Sequence, residues 1–147
     1  MNIQELFKVE GKIAVVTGGS RGIGEMITAG FLANGVKVYI TARKFDALKT
    51  KAKELSKHYD QECIPIAADL STKKGVDKFC DEIKQHETHI DILINNAGVI
   101  GQRDGFGRLD YDIWAETMDT NVFGPMRVAE AFRDNVMNSE KKQMIFI

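Results

Sequence analysis

Four short apolar runs, Ile13–Thr17, Val36–Ile40, Cys63–Ala68 and Ile90–Ile94, recur along the chain, and each is followed by a longer stretch of helical period. Parallel neighbours cannot be joined by tight turns, so strands alternating with helices of this length require a parallel sheet with crossover helices on its faces. The fold class is therefore α/β. The helical stretches run from Ile23 to Asn34, with Gly35 as the C-cap, and from Phe45 to Tyr59, while Val76, Phe79, Cys80 and Ile83 recur at helical spacing in a third. Past the fourth run, a Gly-rich loop (Gly98 to Gly107) leads to a long helical stretch from Tyr111 to Val136, and a fifth strand begins at Met144. The first and fourth runs are nearly all apolar, as strands covered on both faces are. Ligands of such sheets bind at the carboxyl ends of the central strands.

Nothing in the 147 residues divides the chain, so residues 1–147 read as one domain. Twenty Lys and Arg against 21 Asp and Glu give a net charge of −1, which lacks the basic footprint of a nucleic-acid binder. Residues 1–60 carry +4 and the remainder −5, an asymmetry that becomes useful only once an anionic ligand is placed. No run approaches the roughly 18 apolar residues of a membrane span, and the opening MNIQELFKVEGK is too polar for a signal-peptide core, so a cytoplasmic protein is expected. Cys63 and Cys80 have no metal-ligand spacing and read as buried thiols; His58, His86 and His89 read as solvent-facing.

At the end of the first strand stands Thr17-Gly18-Gly19-Ser20-Arg21-Gly22-Ile23-Gly24. Gly18 allows a sharp turn, Gly22 leaves the backbone bare where a diphosphate would approach, and Gly24 lets the helix close on the strand. The helix start then offers free N–H groups and a positive dipole end. A P-loop fits the spacing of Gly19 and Gly24, but Glu25 and Met26 stand where Lys and Ser or Thr are needed. The six-residue GxGxxG pattern fails at Ser20 and Ile23. What remains is TGxxxGxG.

A second motif, Asn95-Asn96-Ala97-Gly98, follows Asp91-Ile92-Leu93-Ile94 at the end of the fourth strand. With both in this order, the chain resembles the short-chain dehydrogenase/reductase family, and in its first hundred residues the 3-oxoacyl-carrier-protein reductases. The resemblance implies a Rossmann-type doubly wound sheet of five strands in the order 3-2-1-4-5. It also implies a nicotinamide dinucleotide held by Gly18, Ser20, Arg21, Gly22, Ile23 and Gly24, by Asp69 and Leu70 beside the adenine, and by Asn96, Ala97 and Gly98. Without a ligand, Asp69 is simply part of a helix start ahead of Ser71.

Sites for NAD carry an acidic residue at the end of the second strand, about 20 positions past the glycines, where it holds the ribose 2′-hydroxyl. This chain has Thr41-Ala42-Arg43-Lys44 there, and Arg43, aided by Arg21, suits a 2′-phosphate. The cofactor expected is NADP(H). Arg43 also argues against a methyltransferase, which would need an acidic residue closing that strand.

In the family, a Tyr exchanges the substrate proton while hydride moves to or from the nicotinamide, a Lys four residues on lowers its pKa, a Ser orients the carbonyl and an Asn holds a water. Asn121 stands 23 residues after Gly98, where the family's Asn belongs. Alternatively it breaks a long helix near Gly124-Pro125. No Tyr begins a YxxxK: Tyr39, Tyr59 and Tyr111 are followed four residues on by Arg43, Cys63 and Ala115. Ser139 precedes the fifth strand and reads as a loop serine. The chain stops at Ile147 inside an apolar run, so the C-terminal part of the fold is expected to be missing and the chain alone to bind dinucleotide weakly without turnover. Trp114, Met118, Phe123 and Met126 read as packing or as a subunit contact, and the resemblance implies a homo-oligomer in the full-length form. The expected function is an NADP(H)-dependent oxidoreductase acting on a small-molecule carbonyl or alcohol. The alternative is a non-catalytic nucleotide-binding or partner-binding module.

Overall fold

The computed structural model describes residue 5, residues 7–101 and residues 110–147. Five parallel strands form one sheet in the order β3-β2-β1-β4-β5, with β1 Ile13–Thr17, β2 Lys37–Ala42, β3 Cys63–Ala67, β4 Ile92–Asn95 and β5 Gln143–Phe146. This is the doubly wound order expected. Helices α1 Gly22–Ala33, α2 Phe45–Tyr59 and α3 Lys73–Lys84 make the first three crossovers. The fourth passes through α4 Tyr111–Met118, a π-helical turn at Asp119–Phe123, α5 Gly124–Ala131 and α6 Arg133–Met137.

Alternate strand residues serve opposite faces. Val15, Tyr39 and Leu93 pack with Val76, Phe79, Cys80 and Ile83 of α3 and with Val128, Phe132 and Val136 of the fourth crossover. Val16, Val38, Ile40, Ile92 and Ile94 pack on the other side with Leu32 of α1 and Leu48, Ala52 and Leu55 of α2. Each large apolar side chain so buried contributes about 1.5–3 kcal/mol, so these two layers hold the carboxyl-end loops in place. Pro65, which cannot donate a ladder hydrogen bond, sits in β3 at the sheet's edge.

Several boundaries differ from those expected. Val36 is not in β2, because its N–H is drawn to the Phe31 carbonyl at 3.1 Å; the strand runs instead to Ala42, paired with Ala67. The β3 pairing ends at Ala67, and Ala68 lies past the strand. Ile90 donates to the Asn135 carbonyl at 3.0 Å, which removes it from β4. The single helix expected from Tyr111 to Val136 is interrupted by the π-helical turn just before Pro125, a residue with no N–H to offer the ladder. Trp114, Phe123 and Met126 are 53%, 45% and 59% exposed, so they are not core packing. His58 and His86 face outward, but His89 is half-buried 3.6 Å from Asp91 Oδ2. Ser139 is in a loop, as expected, yet buried, and donates to Asp91 Oδ1 at 2.6 Å. Cys63 and Cys80 are buried, which pushes both thiols up to about 12. No described helix is long and apolar enough to cross a membrane.

Candidate functional site

The glycine segment leaves β1 at the carboxyl end of the sheet. Gly18 turns in the left-handed region (φ 67°), and its N–H donates to the Thr41 carbonyl at 3.0 Å. Gly22 adopts φ 56°, and a Cβ there would meet nothing within 4 Å, so the backbone is bare on the side where a diphosphate was expected. Gly24 answers a different demand: a Cβ would overlap the Gly18 carbonyl and lie 2.5 Å from Asn96 Nδ2. It lets α1 close on the turn.

Arg21 enters α1 with extended backbone (φ −156°, ψ 160°) and supplies no side-chain cap, so the first amides of the helix remain available to an anion. Glu25, in the first turn, would oppose a phosphate. Its carboxylate is instead turned to Lys51 Nζ of α2 at 3.0 Å, and that bond, with a second to Glu54, raises the lysine pKa. Ile23 is 56% exposed beside the turn, and Ser20 is half-buried within it.

The two sequence motifs meet through Thr17. Its Oγ1 accepts from the N–H groups of Asn96 at 2.9 Å and Ala97 at 3.0 Å, while Asn96 Nδ2 donates to the Thr17 carbonyl at 3.0 Å. Asn96 therefore spends its amide nitrogen on shaping the turn. The side chains of Thr41 and Asn95, on the same sheet face as Thr17, are buried without a protein partner among the described residues.

At the carboxyl ends of β2 and β3, Arg43, Ala68, Asp69, Lys74 and Lys78 line a solvent-open cavity of about 330 Å³. Asp69 is exposed and accepts from the Ser71 N–H and hydroxyl at 3.1 and 2.8 Å through Oδ1, while the cap of α3 is Thr72, accepting from Gly75 N at 3.0 Å. Leu70 is 7% exposed with its side chain in the core, which leaves only its main chain for a ligand. Arg43 reaches solvent at the mouth and lies 3.9 Å from Glu116 of α4.

Asn121 sits in the π-helical turn and grips one residue: Oδ1 accepts from Val99 N at 2.8 Å and Nδ2 donates to Val99 O at 2.9 Å. The grip fixes the chain just past Gly98. Residues 102–107 of the Gly-rich loop, with Gly105 and Gly107, lie outside the described residues. Among the described residues there is no cluster of three His, Cys, Asp or Glu able to hold a metal.

Sequence reading missed three contributors. Thr17 was visible as the first letter of its motif, but its hub role depends on a strand met 79 residues later. Gly19 has no room for a side chain, since a Cβ would lie 2.5 Å from Ile40 Cγ2. Thr28 donates to the Gly24 carbonyl at 2.8 Å and lies 3.2 Å from that of Gly19, bracing the turn from inside α1.

The short chain dehydrogenase family profile matches residues 12–147. A rhamnolipid-biosynthesis 3-oxoacyl-[acyl-carrier-protein] reductase of Pseudomonas aeruginosa is 40% identical over 118 residues, which cover 79% of this chain and 44% of that protein. A short-chain dehydrogenase/reductase of Diaporthe leptostromiformis is 35% identical over 161 aligned positions, covering 93% of this chain and 54% of its own length. Among solved structures, the Pseudomonas aeruginosa RhlG/NADP active-site complex superposes with a TM-score of 0.88 at 32% identity, over 95% of this chain and 55% of that one. The L-sorbose reductase of Gluconobacter frateurii, complexed with NADPH and L-sorbose, gives 0.81 at 30% identity, over 86% and 48%. The chain thus spans about half the length of the curated relatives it matches. With the profile running from residue 12 to the last residue and both motifs joined at one end of the sheet, the chain belongs to the short chain dehydrogenase family.

Proposed function

We propose that this chain carries the dinucleotide-binding part of an NADP(H)-dependent oxidoreductase that reduces a carbonyl substrate or oxidises the corresponding alcohol. The carrying observation is the bare backbone of Gly22 ahead of a helix without a side-chain cap, with Arg43 at the end of β2. The amides at the start of α1 take the diphosphate. Arg43 and Arg21 take the 2′-phosphate, which an acidic residue in place of Arg43 would repel. Asp69 and the Leu70 main chain border the adenine, and Ala97 and Gly98 floor the cleft that Asn96 shapes. A bound nicotinamide supplies or accepts hydride.

Asn121 serves this site by holding Val99 with one acceptor and one donor position of its amide, which leaves one of each free for a water. The family's Ser and Tyr-x-x-x-Lys pair are not among these 147 residues, so proton transfer falls to groups this chain does not supply. The likeness to the Pseudomonas reductase favours a 3-oxoacyl substrate.

Calorimetric titration of the 147-residue chain with NADPH and NADH tests the reading. NADPH is expected to bind at least about tenfold more tightly, the worth of charge-assisted bonds to a phosphate, and Arg43→Ala to remove that margin. Equal binding of the two, unchanged by Arg43→Ala, overturns it. The chain alone is expected to give no carbonyl-dependent NADPH oxidation, and measurable turnover would refute that assignment of roles.

A further inference from the structure

The structure pairs Arg43 with Glu116. Nη1 and Oε1 lie 3.9 Å apart, and the side chains are 62% and 63% exposed. Glu116 stands on α4, whose far end is anchored through the π-helical turn by the Asn121–Val99 bonds. The carboxylate can swing on its own side chain, while its helix is tied to Val99 just beyond its C-terminal end. The other charges around Arg43 are mostly of its own sign: Lys44 follows it, and Lys74 and Lys78 line the same cavity. Asp69, also in that lining, turns Oδ1 back to Ser71.

We propose that Glu116 is a built-in competitor for the 2′-phosphate at Arg43, and that it sets how strongly the site prefers NADP(H) over NAD(H). The proposal rests on the NADP(H) reading above. A pair between two long, exposed side chains at this distance is weak and screened, so a phosphate able to bond the guanidinium bidentately displaces the carboxylate. The displaced carboxylate nevertheless stays on an anchored helix beside the incoming dianion, and the repulsion persists in the complex. NAD(H) places neutral hydroxyls there and leaves the Arg43–Glu116 pair intact. Glu116 therefore weakens binding of the phosphorylated cofactor alone.

Glu116→Gln, which keeps the shape and removes the charge, tests this in NADPH and NADH titrations of the 147-residue chain, with thermal melting to verify that the variant is folded. The expected result is NADPH affinity raised about two- to fivefold, NADH affinity unchanged, and a gain that shrinks as salt shortens the reach of the charges. Glu116→Lys is expected to move the ratio further in the same direction. NADPH affinity unchanged or lowered in a folded Glu116→Gln variant overturns the proposal, as does an equal change for both cofactors. Arg43→Ala separates the two failures. If that variant keeps the wild-type cofactor preference, the NADP(H) reading falls and this proposal with it; if it loses the preference while Glu116→Gln gains nothing, the proposal alone falls.

Discussion

The two ends of the sheet handle polar groups in opposite ways. At the amino end two carboxylates are buried and enclosed by donors. Asp91, 2% exposed, accepts from Ile13 N at 2.9 Å and from Ser139 Oγ at 2.6 Å, with Lys12 and His89 within 4 Å. Glu87, 9% exposed, accepts from Tyr39 OH at 2.6 Å and Lys37 Nζ at 2.8 Å. At the carboxyl end the first amides of α1 have no side-chain cap, Gly22 is bare, and Arg43 stands in solvent. A closed network has spent its bonding capacity on the fold, whereas an open one keeps capacity for a ligand. Burial of charge therefore separates the brace from the site here, although both are rich in polar residues.

The comparison is most exposed to failure at Asp91. Asp91→Ala would leave the Ile13 amide and the Ser139 hydroxyl buried without their acceptor, and a stability loss of about 3 kcal/mol or more is expected in denaturant melts. Dinucleotide affinity of the folded fraction should be unchanged; a stable variant that binds poorly would erase the division between the two ends. Gly22→Ala makes the reciprocal case. A side chain at φ 56° costs about 1–2 kcal/mol of stability, yet its methyl group would stand where the diphosphate approaches, so affinity should fall at least about tenfold. Retained affinity in calorimetry would mean the turn is structural.

The smallest effect sharpens the amino end. Burial pushes the Tyr39 hydroxyl up to about 12, and its bond to Glu87 pushes the same way. Its native pKa lies above the unfolded value near 10, so its contribution is fully present below about pH 10 and is lost as pH rises from about 10 to 12. Burial alone would raise the Glu87 pKa, but the bonds from Lys37 and Tyr39 outweigh it and hold the carboxylate below its usual 4.5. That contribution is present above about pH 4.5 and is lost as pH falls through the lowered value. Tyr39→Phe should cost about 1 kcal/mol at neutral pH and reduce the alkaline limb of a stability–pH curve by the Tyr39 share, leaving that of the buried Cys63 and Cys80 thiols and an acid limb. An unchanged alkaline limb would show that another group governs it.

Much of the architecture was legible in the chain because its causes are local. A run such as Ile13–Thr17 followed by a glycine turn and a helical period identifies a strand, a turn and a helix from neighbours alone. The break in the helix from Tyr111 was only half legible. Pro125 marks a disturbance, but whether the helix kinks, stops or widens into a π-helical turn depends on what Asn121 meets, and it meets Val99. The site was legible as a set of positions, while the division of labour among them was not. Asn96 and Leu70 both read as ligand contacts, yet one side chain shapes the turn and the other fills the core. Nothing local distinguishes a side chain aimed outward from one aimed at its own backbone.

By itself the sequence determined the order of elements, the parallel sheet and the end of it that could receive a ligand, since apolar period and glycine spacing act over one or two turns of chain. Only the tertiary structure decided which polar groups are consumed and which are left over. Tyr39 finds Glu87 across 48 residues and Asn96 finds Thr17 across 79, and such partners are set by strand register and helix packing rather than by any pattern in the intervening chain.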